Sequence, residues 1–131
     1  MMTQPGPDGT ANWQKLVLDI PLHSKERPRL GKNGIAYTTT AYKKWTAQAV
    51  EILKKQWNGS PPLEFALYCV ELHGSARGDV DNLEGAVLDA AVKAGVFQND
   101  TCRRLPAHVA LWQPSDIPQI VLWVRPWWPL K

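Results

Sequence analysis

Apolar residues recur along this chain with two different periods. Over residues 15–20, KLVLDI, they alternate with polar ones, which predicts a first strand closed by Pro21. Over residues 40–57, Tyr42, Trp45, Ala49, Ile52 and Leu53 return at helical spacing, with Lys43, Lys44, Lys54 and Lys55 opposite. That pattern predicts a helix capped by Thr40 and ended by Asn58-Gly59 and the breakers Ser60-Pro61-Pro62. Residues 63–72, LEFALYCVEL, are apolar on both faces in their middle and predict a central strand. A second helix is predicted over 80–94, closed by Gly95, with Val80, Leu83, Val87, Ala90 and Ala94 in one stripe toward the core. Two more strands are predicted over 107–112 and 119–124, joined by a turn at Pro114-Ser115-Asp116. Between the first strand and the first helix lies a basic segment, HSKERPRLGKNG, with a turn at Asn33-Gly34 and a short returning strand over 35–38.

These elements define an α+β chain: two main helices packed on a four- to five-stranded mixed sheet. At 131 residues it forms one small domain. Residues 1–14, rich in Gly, Pro and polar side chains, read as a flexible N-terminal arm. The domain occupies 15–125, and 126–131, PWWPLK, form a Trp-rich tail that can pack on the domain or on a second copy. No apolar run reaches the roughly 18–20 residues of a membrane span, so no membrane association is expected. Cys69 and Cys102 lack metal-ligand spacing, and Cys69 reads as a buried thiol, which fits a reducing cytoplasm.

Charge changes the picture at one place. Residues 77–100 hold five acids against two bases, whereas the remainder holds thirteen bases against seven acids. A mildly basic body around one acidic spot suits a polyanion held near a cation. The spot opens with RGDVDNLEGA, 77–86, where Asp79, Asp81 and Glu84 fall at a helix start. One explanation is structural: Asp81 and Glu84 have the spacing of a capping box, and acids there complement the helix dipole. One aspartate would suffice for that. Two carboxylates about 5 Å apart repel by roughly 3 kcal/mol at an effective dielectric near 20, and a hard cation or a basic neighbour such as Arg77 relieves such a cluster. Both explanations stand on spacing alone.

The run GDVDNLEGAVLDAAVKAGVFQND, 78–100, resembles the signature of RusA-type Holliday junction resolvases, and RPRLGKNGIAYTTTAYKKW, 27–45, resembles the same family's basic N-terminal segment. The resemblance extends over roughly residues 15–112. It implies that Asp79, Asp81 and Asp100 bind divalent metal, Mg²⁺ or Mn²⁺, and carry catalysis, with Asn82, Asp89 and Asn99 around them. Asn99 stands where many members have aspartate, though its carbonyl oxygen can still serve as a ligand. Gly85 is a departure, since members can carry a catalytic lysine there, four residues after the second aspartate. Arg77 and Lys93 are the nearest bases in sequence, and Arg77 is the preferred substitute.

The chemistry suits these residue types. A hard cation screens phosphodiester charge and activates water, and aspartates supply the oxygens it prefers. His23, His73 and His108 form no zinc spacing, and His73 reads as a turn histidine. Lys25, Arg27, Arg29 and Lys32, with Arg77, are suited to phosphates rather than base edges. The resemblance implies a cytoplasmic, bacterial or phage-encoded endonuclease that nicks four-way DNA junctions in recombination and repair, acting as a homodimer because paired cuts need two sites. Gly85 keeps open a junction-binding protein with impaired catalysis. A structural or assembly protein whose acids only cap a helix is the third alternative.

Overall fold

Alternation in QKLVL makes Gln14–Leu18 the first strand, β1, with Leu16 and Leu18 fully buried. The computed structural model describes residues 5–10, 12–26, 29–31, 34, 36–76, 78–101, 105 and 107–127, with Arg29, Ala36 and Tyr37 described for the backbone alone. Strands β2 (Arg29–Leu30) and β3 (Ala36–Tyr37) pair as a separate antiparallel ribbon within the basic segment. Helix α1 spans Thr40–Trp57, and its N-cap is Thr39, one residue before the expected Thr40. Thr39 Oγ1 accepts from the Tyr42 N–H at 3.3 Å. Asn58 ends α1 in the left-handed conformation, where its N–H reaches the Lys54 carbonyl at 2.9 Å.

Strand β4 (Ala66–His73) lies inside the four-stranded sheet, as its doubly apolar sequence requires. Helix α2 (Val80–Lys93) connects it to β5 (His108–Gln113), which runs parallel to β4, and a parallel pair needs such a crossover. The last strand, β6 (Gln119–Pro126), runs antiparallel to both β4 and β1. Sheet order is therefore β1-β6-β4-β5, a mixed sheet of an α+β fold. Although β5 and β6 are consecutive, β4 separates them, and the turn between them crosses the end of β4 where Gly74 N–H meets the Gln113 carbonyl at 3.1 Å.

Both helices cover one face of the sheet. Ala66, Tyr68, Val70 and Leu72 of β4 and Ile120, Leu122 and Val124 of β6 meet Trp45, Ala49 and Leu53 of α1 and Leu83, Val87 and Ala90 of α2 in one core. Val80, expected in the α2 stripe, is 40% exposed because the helix begins beyond the core, and its buried stripe starts at Leu83. The exposed edge of β1 is protected by Gln56 of α1, whose side-chain amide accepts from Val17 N–H at 2.8 Å and donates to Val17 C=O at 2.5 Å.

The described part of the N-terminal segment is docked on the domain. Trp13 is buried, its indole N–H points to Asp8 Oδ1 at 3.0 Å, and Arg125 donates to Thr10 Oγ1 at 3.1 Å. Cys69 is a buried free thiol, pushed up in pKa by burial and then by the charge of Glu71. Cys102 and Trp128 lie outside the described residues. No helix among the described residues is long and apolar enough to cross a membrane.

Candidate active site

Strand β4 delivers the chain through a turn, with Gly78 at φ +95°, to the N-terminus of α2. Asp79 is the N-cap residue, yet its side chain makes no capping hydrogen bond. Its backbone carbonyl accepts from Asn82 and Leu83 instead, at 3.1 and 3.3 Å. Asp81 accepts from the neighbouring Asn82 N–H at 3.0 Å, and both aspartates are exposed. The capping box suggested by Asp81 and Glu84 does not form, because Glu84 turns inward. It is 7% exposed, and its Oε1 accepts the Tyr68 hydroxyl at 2.6 Å and contacts His108 Nδ1.

Glu84, Tyr68 and His108 form a polar cluster where α2 crosses β4 and β5. The Tyr68 and His108 rings stack at 5.1 Å on directly paired strand positions. Burial holds the Tyr68 hydroxyl protonated far above its ordinary range; its bond to Glu84 and the charges of Glu84 and Asp100 add to this. Asp100 is exposed on the loop after α2, and its charge is the smallest of the contributions at Tyr68. Spacing alone did not find this cluster. Its signal is that Glu84 precedes the buried Val87 by three residues and Ala91 by seven, on the inward face.

A strap over residues 21–26 crosses the starts of both helices. Trp45 Nε1 donates to the Pro21 carbonyl at 2.7 Å, and the His23 ring lies against Tyr42 and Trp45. Glu26 accepts from Thr39 at the α1 cap, through its N–H at 3.1 Å and its hydroxyl at 2.7 Å. Lys25 N–H donates to the Asn82 carbonyl at 2.8 Å in the first turn of α2. From there the Lys25 side chain runs over Gly85 to Asp89, with Nζ 3.4 Å from Oδ1. The same Asp89 charge, after burial, raises the pKa of Tyr42.

The sequence model of the family "Endodeoxyribonuclease RusA" matches residues 19–109, more than two thirds of the chain. The chain belongs to the RusA endodeoxyribonuclease family. No curated protein matches it. The RusA match contains the strap, both helices, β4 and all three aspartates, so the site described above lies wholly inside it.

The expected site residues are distributed as follows. Asp79, Asp81 and Asn82 share the start of α2; Asp89 lies two turns along, bound to Lys25; Asp100 lies exposed on the loop after α2. Asn99 is occupied in a turn, its Oδ1 accepting from Thr101 N–H at 3.2 Å and hydroxyl at 2.9 Å. His73 closes β4, and its Nε2 lies 3.3 Å from Glu71 Oε1. Arg27, Lys32, Arg77 and the side chain of Arg29 lie outside what is described.

Among the described residues, no three His, Cys, Asp or Glu side chains come together as a ready-made metal cage. The donor set nevertheless suits Mg²⁺ or Mn²⁺. It consists of exposed carboxylate oxygens, and that of Asp79 is not spent on its own helix. Magnesium keeps several waters and is bound through one or two carboxylates plus substrate phosphate, so it needs no all-protein cage.

Proposed function

We propose that this RusA-family chain is a metal-dependent endonuclease that binds branched DNA, a four-way junction, as a homodimer and nicks it by hydrolysis in recombination and repair. The observation that carries this reading is the pair of exposed aspartates at the start of α2, with an N-cap carboxylate that its helix does not use. Asp79, Asp81 and Asp100 are the residues that would hold Mg²⁺ or Mn²⁺, with Asn82 next to Asp81 and Asp89 two turns further along α2. When bound, such a cation supplies charge screening at the phosphate and activation of water. In the reaction a water oxygen forms a new bond to phosphorus as one ester P–O bond breaks. The water's proton ends on the departing oxygen, leaving a phosphomonoester and a hydroxyl.

The protein's own contribution is to bind and orient. Lys25, Arg27, Arg29 and Lys32, with Arg77, would meet phosphates of the junction arms, an interaction that weakens steeply with salt. Edge strand β5 supports a two-fold contact between copies, because Val109 and Leu111 on one side and Trp112 on the other are exposed. The test is nicking of a synthetic four-way junction by the purified protein in Mg²⁺ or Mn²⁺, with Asp81→Asn as control. Loss of nicking with retained binding supports the reading; nicking that survives Asp81→Asn, or continues in EDTA, overturns it.

Gly85 favours a second reading, a junction-binding protein with impaired catalysis, because α2 itself presents no cation at that point. Wild-type protein that binds junctions without cutting them, and gains cutting through Gly85→Lys, would establish it.

A further inference from the structure

We propose that Lys25 is the catalytic cation of this site, supplied by the strap into the groove that Gly85 leaves open. Asp81, Gly85 and Asp89 are spaced by four and share one face of α2. A side chain at position 85 would occupy the space in which Lys25 lies, since a Cβ there would stand 3.1 Å from Lys25 Cδ and 3.6 Å from its Cβ. The backbone of Lys25 is fixed at the Asp81 end of that face by its bond to the Asn82 carbonyl, and Glu26, the next residue, is fixed at the α1 cap. Its ammonium rests at the other end, on Asp89.

The Lys25 side chain is 44% exposed and that of Asp89 26%, so this ion pair is a weak one. A phosphate brought to Asp79 and Asp81 competes for the same charge. Rotation about the four-carbon stem carries the ammonium back along the face, from Asp89 toward the aspartates, without moving the anchored backbone. There it touches the non-bridging oxygens of the phosphate being cut and stabilises the charge that gathers on them. Lys25 transfers no proton in this scheme; it holds charge on a rigid mount. Asp89 is its resting partner, which explains an acid placed two turns away from the site.

The inference rests on the nuclease reading, and one set of proteins separates the two. Junction nicking is measured at saturating enzyme in Mn²⁺ for wild type, Lys25→Met, Lys25→Arg, and Lys25→Met combined with Gly85→Lys. Methionine keeps the stem over Gly85 and removes the charge. Lys25→Met should lose about a hundredfold or more in rate while its melting temperature holds. Lys25→Arg should retain part of the rate, and the double variant should regain at least about tenfold by presenting an ammonium from the helix instead. A readout without turnover accompanies these: in Ca²⁺, the slope of log affinity against log salt should fall by about one for Lys25→Met. Wild-type nicking with Lys25→Met within about twofold of it overturns this inference and leaves the nuclease reading intact. Loss of rate with a lowered melting temperature and no recovery in the double variant assigns Lys25 a structural role and also overturns it. Wild-type protein that does not nick overturns the nuclease reading and this one together.

Discussion

Tyr68, on an interior strand, donates its hydroxyl to Glu84 Oε1 at 2.6 Å across the core between sheet and helix. That bond ties the second turn of α2 to β4 and so fixes where the aspartates of the first turn stand. Removing the donor with Tyr68→Phe should cost about 1.5–3 kcal/mol, the range for a hydrogen bond to a charged acceptor. Glu84→Ala should cost about 2–4 kcal/mol, because it also opens a void and strands the hydroxyl. Urea unfolding of both single variants and the double gives the coupling between them, expected at about 1 kcal/mol or more. A glutamate serving only as a helix-start acid would show no coupling with Tyr68.

The same hydroxyl makes stability depend on alkaline pH. In the unfolded chain it ionises near pH 10.0; in the folded chain burial, then the bond to Glu84, hold the proton on to much higher pH. The native state therefore binds a proton that the unfolded chain releases. Stability is present in full below about pH 10 and is lost above it, by up to about 1.4 kcal/mol per pH unit for this one group. Tyr42, raised by burial and by Asp89, contributes in the same direction. Urea midpoints taken from about pH 9 to about pH 11 should fall less steeply in Tyr68→Phe than in wild type, and equal slopes would refute the assignment.

The fold was legible wherever a local period decided it. Tyr42, Trp45, Ala49 and Leu53 mark the buried face of α1, and the doubly apolar middle of β4 marks an interior strand. What periodicity does not carry is which distant elements meet. Nothing in the turn at Pro114-Ser115-Asp116 tells that β4 lies between β5 and β6. Glu84 matched a capping spacing, while its true partners, Tyr68 and His108, are 16 and 24 residues away. Position 85 showed a missing side chain, and sequence distance pointed to Arg77 and Lys93. The cation that lies in that space, Lys25, comes from 60 residues upstream on another segment.

Metal binding can be checked without any DNA. Mn²⁺ at about ten times its Kd should stabilise the folded chain by about 1.4 kcal/mol, because the unfolded chain has no preformed site. In a domain of this size that is a rise of about 3–6 °C in Tm. Asp81→Asn should abolish most of the rise, and Asp89→Asn, whose partner is Lys25, should leave it in place. A Tm that ignores Mn²⁺ in the wild type would return the aspartates of α2 to a helix-end role.

Gly85→Ala sets stability against activity at a single position. Glycine inside a helix costs about 1 kcal/mol relative to alanine, so the substitution favours the folded state. The added Cβ would stand 3.1 Å from Lys25 Cδ, close enough that the stem must shift by a few tenths of an ångström. Because the stem is nearly half exposed and, among the described residues, its ammonium is held by a weak pair with Asp89, it can shift, and about 0.5–1 kcal/mol of net stabilisation should survive. The shift displaces the ammonium from its mount, and a misplacement of that order at a reacting phosphate lowers rate by about tenfold or more. Calorimetry and junction nicking on the same preparation should therefore move in opposite directions: Tm up, rate down. A rate that rises with Tm, or stays level, would show that the room above Gly85 has no part in catalysis.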